Sequence, residues 1–298
     1  MSHEQPITSV GVVAKAHHPL AAEGIRAVAA FLAERGLACL IDRESAEAAG
    51  LTSDIERSGL MEQVDLLVVL GGDGTFLSIA RMMEKRTIPI LGINLGSLGF
   101  LTEFRYEETL PVLARVLAGD YRFEDRIMLD ATISREGRQV AACTVLNDLV
   151  INRGALARMV QVRVKVDGLL LNNYTADGLI VSTPTGSTAY NLAAGGPIVH
   201  PSLAGVIISP ICPHTLSNRP IVIADRSTIA ITLTDGNMAN EAVATLDGQV
   251  GYQLSVRDRI EVRRSRQVTR VILSSDNDYY HLLRSKLKWG ETIRHVGA

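Results

Sequence analysis

The chain has 298 residues, of which 47% are hydrophobic and 21% are charged, and it contains 25 glycines. These proportions exclude a disordered or fibrous protein, and the length allows two globular domains. The formal net charge of -2 excludes an overall basic field of the kind that attracts nucleic acid or anionic lipid.

The cysteines, Cys39, Cys143 and Cys212, are far apart and lie in apolar segments. This spacing predicts neither a disulfide framework nor a CxxC metal site, so a reducing cytoplasm is expected. The first residues lack the regions of a secretory signal, and no apolar run approaches the ~18 residues of a membrane span. We therefore expect a cytoplasmic protein with no membrane or nucleic acid partner.

Strand and helix patterns alternate in the first third of the chain. Strands are predicted at residues 7–14, 37–41, 64–70 and 88–93, and helices at residues 19–36, 54–63, 75–86 and 107–119. The strands are continuous apolar runs, which is typical of a parallel sheet covered by helices on both faces. The pattern predicts a Rossmann-like α/β domain.

The hydrophobic period changes after residue 121. Residues 159–168 alternate strictly, with Val160, Val162, Val164 and Val166 on one face, and further strand patterns continue to about residue 274. This region is predicted to be all-β and sandwich-like. Residues 277–290 become helical again, with Tyr280, Leu283 and Leu287 on one stripe that must pack on something, and the α/β domain is the natural host. The predicted domains are residues 1–120 with 276–298, and residues 121–275.

The segment LLVVLGGDGTFL, residues 66–77, is an apolar strand that breaks into a glycine turn before a helix. Such a turn exposes backbone amides that suit a phosphate. The segment matches neither the Walker A pattern nor a complete GxGxxG. A carboxylate at Asp73 would repel a phosphate beside it, which favours a substrate hydroxyl that loses a proton during phosphoryl transfer; alternatively, Asp-Gly is a plain turn pair.

Two further segments carry polar groups in unusual positions. Residues 183–196 are rich in small and hydroxyl residues, which can wrap a ribose and base or can cap a short helix near Ser187. Asn147 and Asp148 interrupt an apolar strand, so one of them must point inward. Its partner is either a ligand edge, such as adenine or ribose, or the neighbouring backbone.

The combination of GGDGTFL, NLGSLGFL, LNDLVINRG and DGLIVSTPTGSTAYNLAAGGPIVHP, in this order and spacing, closely resembles the bacterial NAD kinases. The GGDG element alone is shared with diacylglycerol kinases, sphingosine kinases and phosphofructokinases. The resemblance implies transfer of the γ-phosphoryl group of ATP to the 2′-hydroxyl of the adenosine ribose of NAD+, giving NADP+ and ADP. It also implies Mg2+ or Mn2+ arriving with ATP, and a homo-oligomer, commonly a tetramer, whose site takes residues from a neighbouring subunit.

The resemblance also assigns residues. Asp73 is the expected base, and the amides of Gly71, Gly72, Gly74 and Thr75 are expected to hold phosphate. The expected contacts to the dinucleotide are Asp73, Gly74, Asn147, Asp148, Arg158, Thr175, Asp177, Thr188, Ala189, Tyr190, Asn191, Leu192, Ala193 and Gln249. Phe100 resembles an aromatic beside the adenine, and Thr175 stands where family members often carry a basic residue.

Two alternatives to an NAD kinase stay open at this point. One is a lipid or sugar kinase with the same GGDG turn, and the other is a sensor that binds NAD(H) or NADP(H) without catalysis. The histidines lack ligand spacing such as HExxH, so we do not expect the protein itself to supply a tight metal site.

Overall fold

The computed structural model describes residues 6–83, 86–153, 159–234, 242–274 and 278–289. The chain divides into two compact units. The first contains Met1–Phe76, Ile88–Glu124 and Val271–Ala298, and the second contains Leu77–Thr87 and Asp125–Arg270.

The elements follow in chain order. Up to residue 121 they are β1 (Ser9–Ala14), α1 (Ala21–Ala33), β2 (Ala38–Ile41), α2 (Arg43–Ala48), α3 (Arg57–Gln63), β3 (Leu66–Gly71), α4 (Asp73–Ala80), β4 (Pro89–Asn94), β5 (Phe104–Arg105), a 3-10 turn (Tyr106–Glu108) and α5 (Thr109–Leu117). Beyond it they are β6 (Arg122–Arg135), β7 (Arg138–Val145), β8 (Asp148–Arg153), β9 (Val160–Val166), β10 (Leu169–Ala176), β11 (Gly178–Ser182), a 3-10 turn (Thr185–Thr188), α6 (Tyr190–Ala193), β12 (Gly205–Ile211), β13 (Ile221–Ala224), β14 (Ile229–Leu233), β15 (Ala242–Leu246), β16 (Val250–Leu254), β17 (Arg259–Leu273) and α7 (Tyr279–Leu287).

The first unit is an α/β layer whose strands β2, β1, β3, β4 and β5 pair in parallel in that order. All six residues of β3 are buried, as expected for a central parallel strand with helices on its faces. Helix α1 packs on this sheet, because Ile25, Val28 and Leu32 are fully buried in the same core cluster as the strands. Ile272, near the end of β17, packs into this cluster.

The second unit contains a six-stranded antiparallel sheet in the order β13, β12, β11, β8, β15 and β16. Strands β10, β9, β14 and β17 form a second antiparallel layer, to which β6 and β7 belong. Val160, Val162 and Val164 of β9 share one hydrophobic core with Leu179 and Val181 of β11. Two sheets with one core between them confirm the predicted sandwich-like, all-β unit.

Three local predictions differ from the structure. Helix α2 was not expected, because its sequence RESAEA offers no apolar stripe. Helix α4 begins at Asp73, two residues before the predicted start. Helix α7 belongs to the first unit, as expected, and it buries Leu282 and Leu283. Tyr280 is 59% exposed, so the predicted stripe was wrong at that position.

Among the described residues, no helix is long and apolar enough to cross a membrane.

Candidate active site

The glycine turn connects β3 to α4, and Asp73 is the first residue of the helix. Its carboxylate turns toward the loop after β4. Oδ1 accepts hydrogen bonds from the Leu101 amide at 3.0 Å, the Thr102 amide at 3.2 Å and the Thr102 hydroxyl at 3.0 Å. Oδ2 accepts one from the Phe100 amide at 2.8 Å. Since each carboxylate oxygen offers about two lone pairs, Oδ2 keeps one for a further donor.

A cavity of about 340 Å³ opens at this edge of the parallel sheet. Gly71, Gly72 and Asp73 line it, and so do Asn94 and the glycine-rich loop that follows. Two lysines and a histidine complete the lining from two separate parts of the first unit: Lys15 and His18 follow β1, and Lys286 lies in α7. The backbone of a glycine turn together with basic side chains in one cavity suits an anionic group such as a phosphate.

The loop beyond β4 is held by side-chain hydrogen bonds. Asn94 donates from Nδ2 to the Thr102 hydroxyl at 2.8 Å, and its Oδ1 accepts from the Gly96 amide at 2.7 Å. Thr102 is fully buried and also donates to Asp73. The position of the Asp73 carboxylate is therefore fixed by residues about 30 positions further along the chain.

A second cavity of about 340 Å³ lies within the second unit. Its lining residues are Asn147, Asp148, Val150, Asn152, Ala189, Tyr190, Thr245, Asp247 and Gly248. Four residues that the sequence assigned to the dinucleotide therefore meet here: Asn147 and Asp148 lie where β8 begins, and Ala189 and Tyr190 lie where α6 begins. Tyr190 is 43% exposed, so its ring is accessible from solvent.

The predicted inward residue of the Asn147 and Asp148 pair is Asp148, which is 4% exposed, whereas Asn147 is half-buried. Burial, and then the negative charge of Asp247, raise the pKa of the Asp148 carboxyl from 3.8 to about 7. Among the described residues, we find no hydrogen bond to its side-chain oxygens. A buried carboxyl that borders a cavity without such a partner is suited to bind a donor group on a ligand.

The loop from residue 183 to 193 uses most of its polar side chains internally. The Thr183 hydroxyl donates to the Leu146 carbonyl at 2.6 Å, and the Thr188 hydroxyl donates to the Thr185 carbonyl at 3.4 Å. Asn191 is fully buried; its Nδ2 donates to two backbone carbonyls at 3.1 Å each, and its Oδ1 accepts from the Ser209 hydroxyl at 2.7 Å. The Asn191 side chain therefore shapes the loop and is not available to a ligand in this conformation.

The other assigned residues lie outside the linings of both cavities. Asp177 faces Arg153, with Nε 3.4 Å from Oδ1, and Thr175 accepts from the His214 amide through its carbonyl at 2.9 Å. Gln249 accepts from Arg81 Nη2 at 2.6 Å. Gly74 and Ala193 are exposed, while Thr75 and Leu192 are half-buried. Arg158 lies outside the described residues.

Several residues of these cavities were not predicted. Asp247 was not predicted as a site residue, although an Asp-Gly pair that follows an apolar strand indicates a turn with a carboxylate, as at Asp73. Lys15, His18 and Lys286 gave no local signal, because isolated basic residues are common on surfaces. Among the described residues, no group of three or more His, Cys, Asp or Glu side chains can hold a metal ion.

An ionisable carboxylate in a glycine turn, beside amides and lysines suited to phosphate, defines a phosphotransferase of the GGDG type. Two family models match the chain: the ATP-NAD kinase N-terminal domain at residues 10–121 and the ATP-NAD kinase C-terminal domain at residues 146–274. The NAD kinase of Geotalea daltonii is 46% identical over 282 residues, covering 95% of this chain and 99% of the relative. That of Geobacter metallireducens is 48% identical with the same coverage.

Solved structures are similar as well. A yeast NADH kinase complexed with NADH matches with a TM-score of 0.90 and 27% identity, covering 99% of this chain and 91% of that one. An NAD kinase from Archaeoglobus fulgidus in complex with ATP matches with a TM-score of 0.71 and 24% identity, covering 90% and 94%, and shows the shared fold. The chain therefore belongs to the NAD kinase family, and its function is that of an NAD kinase.

Proposed function

We propose that the chain transfers the γ-phosphoryl group of ATP to the 2′-hydroxyl of the adenosine ribose of NAD+, with NADP+ and ADP as products. This is phosphoryl transfer to an alcohol acceptor. The observation that carries the proposal is the Asp73 carboxylate, which is fixed by four hydrogen bonds and keeps a lone pair on Oδ2 at a cavity suited to phosphate. The relatives named NAD kinase support the choice of acceptor.

In this proposal Asp73 takes the proton of the 2′-hydroxyl as the oxygen attacks the γ-phosphorus. General base catalysis of this kind contributes about 10² to 10⁴ in rate. The bond between the γ-phosphorus and the bridging oxygen of ATP breaks, and ADP leaves. Positioning and charge neutralisation provide the larger part of the acceleration of phosphoryl transfer.

The donor phosphates are assigned to the cavity of the first unit. The amides of Gly71, Gly72, Gly74 and Thr75 are the proposed donors to phosphate oxygens, and Lys15, His18 and Lys286 add positive charge or hydrogen-bond donors. The structure of a related kinase with ATP supports a nucleotide in this fold. Mg2+ or Mn2+ is proposed to arrive bound to the phosphates of ATP, where it would neutralise their charge. Among the described residues, Asp73 is the one carboxylate that lines this cavity.

The dinucleotide is assigned to the second unit and to the turn. The proposed contacts remain Asp73, Gly74, Asn147, Asp148, Arg158, Thr175, Asp177, Thr188, Ala189, Tyr190, Asn191, Leu192, Ala193 and Gln249. Those that line the second cavity, Asn147, Asp148, Ala189 and Tyr190, are the best supported. For Asn191 we propose a backbone contact, since its side chain is fully hydrogen-bonded within the unit.

Assembly, localisation and domain boundaries are proposed on the resemblance and the sequence pattern. We propose a cytoplasmic homotetramer in which a neighbouring subunit contributes to the site. The domains are proposed at residues 1–120 with 276–298 and at residues 121–275.

An assay of acceptors and donors tests the proposed reaction. The purified chain is incubated with Mg2+ and γ-labelled ATP or polyphosphate, against NAD+, NADH, diacylglycerol and fructose 6-phosphate. Labelled NADP+ from ATP and NAD+ is the expected product. Labelled lipid or sugar phosphate without NADP+ would assign a different GGDG kinase, and tight NAD+ binding without any transfer would assign a sensor.

A first mutational prediction concerns Gly99, where a β-carbon would overlap Asp73 Oδ1 and approach Thr102 Oγ1 to 2.5 Å. Gly99→Ala must push the carboxylate out of its hydrogen bonds. We expect kcat to fall by about tenfold or more, because displacements near 1 Å at a reacting group cost up to about 10² in rate. Steady-state kinetics measure this.

Gly96→Ala provides the matched control in the same loop. A β-carbon there meets Asn94 Oδ1 at 3.8 Å, which is ordinary contact. Gly96 lines the cavity assigned to ATP, so an effect is expected in the KM for ATP, whereas the kcat at saturating ATP is expected to stay within about threefold of the parent value, since no group near Asp73 must move. Equal losses in both variants would show that the loop, and not the Asp73 carboxylate, is responsible.

A further inference from the structure

The hairpin between β15 and β16 carries a buried carboxylate that the reaction does not use. Asp247 is 7% exposed and has a left-handed backbone with φ of 47°. Its Oδ1 accepts hydrogen bonds from the Asn147 amide at 2.8 Å and the Asp148 amide at 3.0 Å, and its Oδ2 accepts from the Leu146 amide at 3.1 Å. One carboxylate therefore binds three consecutive backbone amides at the start of β8.

An arginine faces this carboxylate from another part of the second unit. Arg81 follows α4, and its Nε lies 3.9 Å from Asp247 Oδ2. The same guanidinium donates from Nη2 to the Gln249 side chain at 2.6 Å and from Nη1 to the Leu246 carbonyl at 3.4 Å. The Arg81 side chain is 15% exposed and that of Asp247 is fully buried, so the contact between these two charged groups is shielded from water, whereas Gln249 is exposed.

The contacts form a connected chain that ends at the second cavity. Arg81 fixes the hairpin turn on both sides of Asp247, and Asp247 fixes the backbone of residues 146–148. Asn147 and Asp148 line the cavity that we assign to the dinucleotide. A shift of this backbone would move both side chains together.

We propose that Arg81 and Asp247 are positioning residues for dinucleotide binding, which hold Asn147 and Asp148 in the orientation that NAD+ requires. The inference rests on the proposed function, in which these two side chains contact NAD+. Neither Arg81 nor Asp247 is assigned a contact with ATP. Substitutions of these two residues are therefore expected to lower the affinity for NAD+ and to leave the affinity for ATP unchanged.

The test compares Arg81→Met with a matched ion pair elsewhere in the same unit. Arg135 binds the fully buried Asp258 through two hydrogen bonds, at 3.0 Å and 2.9 Å. Neither residue lines either cavity. Arg135 also donates from Nη2 to the Gln253 carbonyl in β16 at 3.3 Å, away from the turn that carries Asp247. Arg135→Met therefore removes the cation that faces a buried carboxylate and leaves the contacts of Asp247 in place, and both variants are expected to lower the melting temperature.

For Arg81→Met the KM for NAD+ is expected to rise by about tenfold or more, since contacts to a charged group are lost along the chain of hydrogen bonds. The kcat and the KM for ATP should stay within about threefold, as expected when binding but not the chemical step is affected. Arg81→Lys keeps a cation and should recover part of the NAD+ affinity. Arg135→Met should leave the KM for NAD+ within about twofold.

A pH profile provides a readout that a merely structural role would not move. Burial, and then the negative charge of Asp247, raise the pKa of the Asp148 carboxyl. Two further groups interact electrostatically with Asp247: the Arg81 guanidinium, which lowers the pKa of Asp247 against the raising effect of burial, and the Cys143 thiol of β7, whose own pKa is raised by burial and then by Asp247. Asp247→Asn removes one negative charge, so the inflection in the KM for NAD+ against pH should move to lower pH.

Two outcomes overturn the inference. If Arg81→Met and Arg135→Met change the KM for NAD+ equally, the pair of Arg81 and Asp247 acts through general stability alone. If Asp148→Ala raises the KM for NAD+ but Arg81→Met and Asp247→Asn leave it unchanged, the positioning role is wrong while the proposed site stands. If Asp148→Ala itself has no effect on that KM, the proposed dinucleotide site fails first.

Discussion

Replacement of Asp73 by asparagine is expected to lower kcat by at least about a hundredfold, because the amide cannot accept the proton of the 2′-hydroxyl. The structure adds a second effect. An asparagine Oδ1 can keep the three bonds of the carboxylate Oδ1, but its Nδ2 then faces the Phe100 amide, which also donates. That conflict costs about 1 to 3 kcal/mol of stability. Stopped-flow or steady-state kinetics and thermal melting measure the two effects separately.

Thr102→Val tests the effect of losing a hydrogen bond to the Asp73 carboxylate without losing the carboxylate itself. This change removes the hydroxyl bonds to Asp73 and Asn94 but leaves the carboxylate and the three backbone donors in place. We expect a fall in kcat of less than about tenfold together with a loss of about 1 kcal/mol of stability.

A rate for Asp73→Asn equal to that of the parent enzyme would remove Asp73 from the chemistry.

The second large effect is expected at Asp148. A carboxylate accepts hydrogen bonds about twice as strongly as a neutral acid, and the raised pKa of about 7 places this change near neutral pH. The KM for NAD+ should therefore fall as pH rises from 6 to 8. In Asp148→Asn the profile should be flat, and in Asp148→Ala the KM should be at least about tenfold higher at pH 8.

The same group predicts how stability depends on pH. The unfolded chain releases the Asp148 proton near pH 3.8, whereas the folded chain keeps it to about pH 7. Between these values the unfolded state binds fewer protons, so stability falls as pH rises, by up to about 4 kcal/mol above pH 7. Asp148→Asn should melt at a higher temperature than the parent at pH 8 and lose this advantage near pH 4. An advantage independent of pH would contradict a buried ionisation at Asp148.

Much of the architecture follows from local pattern. The all-buried run of β3 and the alternation of β9 are properties of a few neighbouring residues, and both predicted their layers correctly. The position of Asp73 at the end of a parallel strand also follows, since the glycines mark the turn. One inward side chain at Asn147 and Asp148 was also expected, because the two polar residues interrupt an apolar strand.

What could not be predicted depends on distant residues. The Asp73 carboxylate is held by amides 27 to 29 positions away, and Asp247 binds amides about 100 positions away. No periodicity encodes such contacts. Residues 183–196 were expected from composition either to wrap a ribose and base or to cap a short helix, and in the structure the Thr183 hydroxyl donates to the Leu146 carbonyl and the Thr188 hydroxyl to the Thr185 carbonyl. A residue type predicts what a side chain can bind, and only the fold determines which partner it meets.

The division of the chain into units has a consequence for its synthesis. The chain passes from one unit to the other after Phe76, Thr87, Glu124 and Arg270. The α/β layer therefore lacks Ile272 and Lys286 until the residues after 270 have been synthesised. A ribosome-bound nascent chain ending before residue 271 has an open hydrophobic edge and a phosphate cavity without one of its lysines, so chaperone contact is expected to persist until helix α7 emerges.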